Sequence, residues 1–295
     1  MTEALLLILR VNVVLAAATL LVLAVRRPIR QRFGAHLAYG LWWVLPLSAL
    51  AAMLPLARVI RRSQSTLRPL WHGLSVALSK VEAVAPYVWA AGLLVGLAML
   101  ILAQRAFSRR EQLGEAGPAV VGIITPRLVM PGRVKAEFSD EERALIRAHE
   151  RAHMDREDPR VNAAMTLAQL VLWFNPMIHV AGRYLRLDQE LACDATVMAR
   201  MPTVRRRYAQ TLLKTQLSAQ PLPLGCQWLG GASHPLDERI GALKLAAPTP
   251  RQRDMGMAAL AALSLVMCGA AWAAQPAKIE EGAMRVLFVQ LSPAK

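Results

Sequence analysis

Cysteines are few in this sequence, and none of them is spaced as a metal-binding pair. Only Cys193, Cys226 and Cys268 occur among 295 residues, and no C-x-x-C motif is present. An odd number of cysteines argues against a disulfide framework, and the missing C-x-x-C argues against a cysteine zinc site. We therefore expect the three cysteines to be small buried hydrophobic residues.

Acidic residues are also scarce. The chain has 20 Asp and Glu against 35 Lys and Arg, which gives a net charge of +15. The segment 104–254 carries only +6 of this charge, and most of the remainder lies in short loops beside apolar stretches. Arginines in such loops orient membrane proteins, whereas a nucleic-acid-binding domain carries a basic stripe on a soluble surface. The pattern predicts the lipid bilayer as a partner and no direct contact with nucleic acid.

Charge is nearly absent from four long stretches of a chain that is 55% hydrophobic, with a mean hydropathy of +0.33. Each stretch is long enough, or nearly so, to cross a bilayer: 4–25, 37–57, 86–103 and 255–274. The alternative is a set of buried helices in a soluble protein, but such helices rarely run for about 20 residues with almost no charge. The sequence predicts three transmembrane helices within 1–103 and a fourth at 255–274.

Basic residues at the ends of these stretches predict the orientation. Nine arginines fall on one side of the membrane, within 26–32, 105–110 and 251–253, and five basic residues fall on the other side, within 58–80. The side with more basic residues is cytoplasmic. We therefore expect a multi-pass protein of the bacterial inner membrane with an outer N-terminus, a cytoplasmic domain at 104–254 and a short outer tail at 275–295. The outer loop mixes basic and apolar residues, so it can lie along the membrane surface.

An H-E-x-x-H motif lies in the cytoplasmic segment, at His149, Glu150 and His153. On a helix the two histidines share a face and can bind one metal ion, while Glu150 can take a proton from an attacking water. Ser139 and Glu142 form a capping box, which predicts a helix from about residue 140 to 155. The alternative is a solvated charged helix that contains two histidines by chance.

A second acidic pair follows downstream. Asn175 and Pro176 mark the start of a helix that carries Glu190 and Asp194 four residues apart. One carboxylate can bind the metal, and the other can accept the remaining N–H of a ligand histidine. The alternative is a solvated acidic face balanced by Arg183 and Arg186.

A stretch rich in Val and Ile, residues 119–130, precedes the motif and predicts one or two short strands with a turn at Thr125 and Pro126. Such a strand can pair with an extended substrate chain, or it can belong to a small sheet.

Together these motifs resemble the BlaR/MecR-type membrane zinc metallopeptidases. The resemblance rests on H-E-x-x-H at 149–153, Asp158, W-F-N-P at 173–176, E-L-A-C-D at 190–194 and S-H-P-L-D-E-R-I at 233–240. It implies a mainly α, polytopic membrane protein with four transmembrane helices. An α+β zinc peptidase domain of the gluzincin type would be inserted between spans three and four.

The resemblance also implies a set of site residues. His149, His153 and Glu190 would bind Zn²⁺, Asp194 would orient a ligand histidine, and Glu150 would act as general base and then as proton donor. His234 would stabilise the oxyanion. Alternatively, His234 belongs to a helix-start turn, with Arg239 in a structural salt bridge. His179 is a weaker candidate.

The implied function is proteolysis of a protein substrate, such as a cytoplasmic repressor or signalling protein. Quality control of membrane proteins and signal transduction without catalysis are the alternatives. A non-catalytic transducer predicts a damaged ligand or base, yet His149, Glu150, His153 and Glu190 are all present. Family members that sense β-lactams carry a penicillin-binding domain after the fourth span, and we expect none here, since 21 residues follow 274. The S-x-x-K at Ser292–Lys295 is then a chance match.

Overall fold

Helices make up most of the protein. The computed structural model describes residues 3–54, 59–61, 68–217, 236–274 and 278–280. Within these ranges four helical segments are long and apolar enough to cross a membrane: Leu7–Phe33, Ala35–Met53, Ala83–Gln112 and Pro250–Ala273. The predictions of a mainly α fold and of four candidate spans are confirmed.

Helix α1 (Glu3–Phe33) extends beyond the predicted end of the first span at 25. The helix continues because its basic end has partners inside the protein. Arg26 and Arg30 are almost fully buried, and both lie against the carboxylate of Asp188. A buried arginine is tolerated only when it is paired in this way.

The second candidate span is a broken helix. Helix α2 (Ala35–Gly40) is followed by a 3₁₀ turn at Leu41–Trp43 and by helix α3 (Val44–Met53). Pro46 falls in the first turn of α3, where a missing N–H costs little. The helix ends at Met53 and not at the predicted position 57.

The other two spans are longer than predicted or shifted. Helix α4 (Arg68–Gln112) includes the predicted 86–103 stretch and continues on both sides of it. Helix α11 (Pro250–Ala273) begins at a capping box in which Thr249 accepts from the backbone N–H of Gln252. Short strand β1 (Val59–Arg61), after the second span, pairs in parallel with β4 (Lys278–Glu280), after the fourth. The ends of these two spans therefore lie on the same side.

Between α4 and α11 the described residues form a β-hairpin and six α-helices. Strands β2 (Ala119–Val121) and β3 (Arg127–Val129) lie within the stretch where one or two strands are predicted, and they pair antiparallel with Val120 opposite Leu128. The helices are α5 (Val134–Glu137), α6 (Asp140–Asp155), α7 (Asp158–Val171), α8 (Pro176–Arg200), α9 (Arg205–Leu217) and α10 (Leu236–Ala242).

The largest apolar core is shared between the candidate spans and α8. Ala18 and Val22 of α1 pack with Leu41 of the broken second span and with Ala181 and Leu185 of α8. A smaller core joins α6 to α9 through Leu145, Val197 and Tyr208. Helix α8 therefore connects the candidate membrane spans to the helix that carries the H-E-x-x-H motif.

Candidate metal centre

Helix α6 begins where the sequence predicts. The Ser139 side chain accepts a hydrogen bond from the backbone N–H of Glu142, and the Glu142 side chain accepts one from the backbone N–H of Ser139. This reciprocal pair satisfies two N–H groups at the helix start. The helix then runs without interruption through His149 and His153, which lie on its inner face.

Three metal-binding groups meet between α6 and α8. The Nε2 atoms of His149 and His153 are 3.2 Å apart. The Glu190 carboxylate lies 3.3 Å from Nε2 of His149 and 3.5 Å from Nε2 of His153. Two nitrogens and a carboxylate oxygen form a donor set that suits zinc.

The spacing of the three donors fits a tetrahedral metal ion. Zinc binds nitrogen and oxygen ligands at roughly 2.0–2.1 Å, which places tetrahedral ligands about 3.3 Å from each other. The distances among His149, His153 and Glu190 run from 3.2 to 3.5 Å. The carboxylate places one oxygen near each ring, Oε2 beside His149 and Oε1 beside His153.

Hydrogen bonds fix which nitrogen of each histidine faces the centre. The Nδ1 atom of His153 lies 2.7 Å from the Asp158 carboxylate, which can only accept, so this nitrogen carries the proton. The Nδ1 atom of His149 lies 2.9 Å from the hydroxyl of Tyr208, whose own proton goes to Asp194. In both rings Nε2, and not Nδ1, is the nitrogen that faces the position of a metal ion.

Arg239, from α10, holds the two acidic residues of α8. It donates to both oxygens of Asp194, at 2.8 and 2.7 Å, and its Nη1 lies 2.9 Å from Glu190. Asp194 is only 1% exposed. The alternative of a solvated acidic face at Glu190 and Asp194 therefore does not describe this structure. The salt bridge suggested for Arg239 is present, and its partners are Glu190 and Asp194.

These contacts shift the pKa values of the site strongly. Burial alone would lower the pKa of His149, but hydrogen bonds with Asp194 and Glu190 raise it to about 10. Burial also opposes the shift of His153, whose pKa is raised well above its usual value by Cys193, Asp158 and Glu190. Burial would raise the pKa of Asp194, but Arg239 and His149 lower it to about 2. Two cationic histidines beside carboxylates show that the site attracts positive charge.

Glu150 lies at the edge of an open cleft next to the three donors. The cleft has a volume of about 930 Å³ and extends from the β2–β3 turn to Arg239. Glu150 is half-buried, and it lines this cleft together with His149 and His153. A carboxylate in this position can exchange protons with a water in the cleft.

Cys193 is nearer to the centre than the sequence predicts. It is fully buried, as expected, but its sulfur lies within 4.8 Å of a ring nitrogen of each motif histidine. The sulfur already accepts a hydrogen bond from Arg156 and lies 3.9 Å from Asp158. Asp158 is on the Nδ1 side of His153, so Glu190 remains the better third ligand.

The structure brings five of the six predicted site residues together. Contacts link His149, His153, Glu190 and Asp194, and Glu150 lines the cleft beside them, whereas His234 lies outside the described residues. His179 is apart from this cluster, with its Nε2 atom 3.0 Å from the carbonyl oxygen of Trp173.

Sequence reasoning assigned no role to Tyr208 or Arg156, and it noted Asp158 only as part of a motif. Each of these residues acts on the site through a contact with a residue distant in sequence or on another element. Asp158 alone gave a sequence signal, because it lies five residues after His153 at the start of the next helix.

The profile of the family described as BlaR1 peptidase M56 matches residues 6–85 and 116–243. These residues cover most of the chain and include both motif helices. The chain belongs to the BlaR1 peptidase M56 family. A peptidase family, four apolar helices and a donor set for a metal together indicate a membrane metallopeptidase.

Individual members of the M56 family show more limited similarity. The regulatory protein BlaR1 of Bacillus licheniformis is 28% identical over 98 residues, which are 33% of this chain and 16% of that protein. The methicillin resistance mecR1 proteins of Staphylococcus aureus and Staphylococcus epidermidis are 26% identical over 137 residues, which are 45% of this chain and 23% of theirs. The match therefore covers less than a quarter of the length of each of these proteins.

Proposed function

We propose that this M56 family member is a multi-pass zinc endopeptidase of the bacterial inner membrane whose active site faces the cytoplasm. The observation that carries the proposal is the meeting of His149, His153 and Glu190 at tetrahedral spacing. The zinc peptidase domain, of the gluzincin type, lies between the third and fourth spans. Its proposed class of substrate is a cytoplasmic repressor or another signalling protein, since one of the similar proteins is named a regulatory protein.

His149, His153 and Glu190 would hold the zinc ion in this proposal. When bound, zinc would supply Lewis acidity, which lowers the pKa of water to near neutral pH and polarises a carbonyl group. Asp158 and Tyr208 hold the two imidazole rings in the orientation that the ion needs. Arg239 and Asp194 fix the side of α8 that carries Glu190.

Glu150 is the residue that moves protons. As a carboxylate in the cleft it accepts a proton from the attacking water, and it then gives that proton to the leaving amine. The peptide bond breaks and water is consumed, so no further reactant is needed. His234 remains a candidate for stabilising the oxyanion, and a helix-start turn is the alternative role.

A comparison of new protein N-termini in living cells tests this function. Cells would produce the wild type, Glu150→Gln or the matched control Arg151→Gln, which changes an exposed neighbour in the same motif. We expect new N-termini with the wild type and the control, and their loss with Glu150→Gln.

The cleaved proteins also separate the candidate roles. A cleaved cytoplasmic regulator supports regulatory proteolysis, whereas many cleaved membrane proteins support quality control. If the three sets of N-termini are the same under several stresses while the purified protein retains zinc, the chain is a non-catalytic transducer and the proposed catalysis is wrong.

A further inference from the structure

The α7–α8 hairpin contains a long uncharged stretch outside the four candidate spans. The 22 residues from Val161 to Gly182 include no Asp, Glu, Lys or Arg. They form most of α7, the turn at 172–175 and the first part of α8. The arms of this stretch have 11 and seven residues, or about 17 and 11 Å of helix, so neither arm alone is long enough to cross a bilayer.

Contacts with α1 measure how far the hairpin reaches along that span. Near the turn, Asn175 donates a hydrogen bond to the side chain of Asn12 at 2.8 Å. Farther from the turn, Arg26 donates to Asp188 of α8, also at 2.8 Å. Asn12 and Arg26 are 14 residues apart on α1, which is about 21 Å of helix. The first half of α8 therefore lies alongside the apolar part of α1.

Contacts with α4 give an independent measure of the same depth. Trp173 donates to the carbonyl of Trp89 at 3.2 Å, and Trp89 donates to the carbonyl of Val171 at 2.8 Å. Trp89 lies 16 residues before Arg105, the first arginine after the apolar part of α4. This distance is about 24 Å of helix. The hydrocarbon core of a bilayer is about 30 Å thick, so both measures place the turn beyond its middle.

Side chains on the outer face of the hairpin are apolar. Arg160, at the start of α7, is exposed and paired with Glu157. Farther along the same face the exposed residues are Ala164, Leu167, Val171 and Phe174. Leu167 is 61% exposed, Val171 39% and Phe174 44%. A helical stripe that changes from charged to purely apolar towards the turn fits a helix that enters a membrane.

The paired amides of the hairpin are compatible with this position, whereas the buried atoms Asn162 Oδ1, Gln169 Oε1 and His179 Nδ1 have no hydrogen-bond partner among the described residues. The Asn175 and Asn12 side chains bond to each other, and small Gly182 lets Gln169 of α7 approach α8 closely. Hydrogen-bonded amides and small residues are typical of helix contacts inside membranes. Arg183 lies five residues before Asp188, or about 8 Å, a distance that its long side chain spans by snorkelling to the surface.

We propose that α7 and the first half of α8 form a re-entrant hairpin that enters the bilayer from the side of the metal centre. Lipid covers the outer face of the hairpin, where acyl chains contact the stripe of Ala164, Leu167, Val171 and Phe174. This proposal does not depend on catalysis. It removes about half of α8 and nearly all of α7 from the cytoplasmic domain that the sequence predicts at 104–254, and it places the metal centre at the membrane surface.

Spin labels along the stripe test this position. Single cysteines would replace residues 164, 167, 171 and 174 in the full chain, in which Cys193, Cys226 and Cys268 are changed to alanine. The protein would be placed in vesicles of phosphatidylethanolamine and phosphatidylglycerol. Collisions of each nitroxide with oxygen, which dissolves in the bilayer, would be compared with collisions with a water-soluble nickel complex. Leu94→Cys, on the exposed face of α4, gives the lipid reference, and Arg151→Cys gives the water reference.

We expect the ratio of oxygen to nickel collisions to rise several-fold from position 164 to position 174, where it equals the ratio at 94. Labels at 171 and 174 that behave like the label at 151 would overturn the proposal, because the hairpin would then lie in water. Labels that neither probe reaches would also overturn it, since protein and not lipid would cover the stripe. Circular dichroism spectra that match those of the wild type show that the labelled variants are folded.

Discussion

The contacts of His149 and His153 favour protonated rings before a metal ion binds. In the metal-free protein the pKa of His149 is about 10 and that of His153 is well above its usual value of 6.5. Hydrogen bonds with Asp158 and Tyr208 keep the Nδ1 protons in place, so only the Nε2 protons compete with the ion. Metal binding at this site is therefore coupled to proton release.

Zinc binding should release about two protons per chain near neutral pH, because both rings are cationic before the ion arrives. As the pH rises towards the raised pKa of a histidine, a larger fraction of the rings is deprotonated and free to bind zinc. Zinc affinity should therefore increase from pH 6.5 towards about pH 10. Calorimetric titration of the zinc-free protein in buffers of different ionisation enthalpy measures the number of protons. Binding without proton release would contradict the raised pKa values of the two histidines.

Tyr208 should tune the affinity for the metal through His149. Changing Tyr208→Phe removes the hydroxyl that bridges His149 and Asp194, and the loss of such a partner typically costs about 10- to 100-fold in metal affinity. The control Tyr184→Phe removes a hydroxyl from α8, where the Tyr184 ring lies under Arg26. Competition with a zinc chelator measures both variants, and equal affinities would contradict the role given to Tyr208.

At the scale of helices, close contacts decide where the α7–α8 hairpin is held. A Cβ atom at Gly92 of α4 would lie 2.2 Å from the Trp173 ring, whereas a Cβ at Gly269 of α11 would meet no atom within 4 Å. The indole is rigid and donates a hydrogen bond to Trp89, so it cannot make room without losing that bond. The glycine at position 92 is therefore part of the contact between α4 and the hairpin.

The variant Gly92→Ala should destabilise the protein by about 1–3 kcal/mol, the usual cost of overpacking. Gly269→Ala should leave stability unchanged or slightly increased, since alanine favours the helix. Thermal unfolding in detergent, followed by circular dichroism, measures both variants. Equal midpoints would mean that Trp173 does not hold the hairpin against α4.

Local signals were sufficient to predict the helices that carry the candidate site. Ser139 and Glu142 predicted the start of α6, and Asn175 with Pro176 predicted the start of α8, since capping depends only on neighbouring residues. Spacing then placed His149, His153, Glu190 and Asp194 on the correct faces. Local patterns could not predict the long α4 or the break at Leu41–Trp43, because these depend on packing between distant segments.

Partners from distant segments were beyond the reach of sequence patterns. The contact of Tyr208 with His149 depends on where α9 packs against α6, and nothing around Tyr208 indicates it. The same holds for the distance between Cys193 and the two histidines. The prediction that the cysteines are only hydrophobic residues considered motif spacing, and spacing does not report which helices cross near the site.

At the scale of the whole molecule, a buried network of charges joins the first span to the metal centre. Asp188 is fully buried, accepts from Arg26 of α1 and from the indole of Trp42, and lies two residues before Glu190. Arg30 donates to Glu238, the neighbour of Arg239 in α10, at 2.7 Å. Helices α8 and α10 therefore each carry one acidic residue that pairs with α1, and one or two positions later a residue of the site.

Changing Asp188→Asn should cost about 3–5 kcal/mol, because it removes the carboxylate that pairs at 2.8 Å with buried Arg26, whereas Arg30 keeps Glu238. The control Asp155→Asn alters an exposed ion pair with Arg200, which is worth about 0–1 kcal/mol. Unfolding midpoints and the yield of folded protein in detergent measure the difference. If Asp188→Asn is as stable as the control, the network does not hold α1 against α8.

The identity of the third metal ligand is tested most directly by the zinc content of purified protein, measured by inductively coupled plasma mass spectrometry. We expect about one zinc per chain in the wild type. Zinc should be lost in Glu190→Gln and retained in Cys193→Ala, since only the Glu190 carboxylate lies 3.3 and 3.5 Å from the two Nε2 atoms. A wild type without zinc, or a Glu190→Gln variant that binds zinc as tightly as the wild type, would contradict the proposed metal centre.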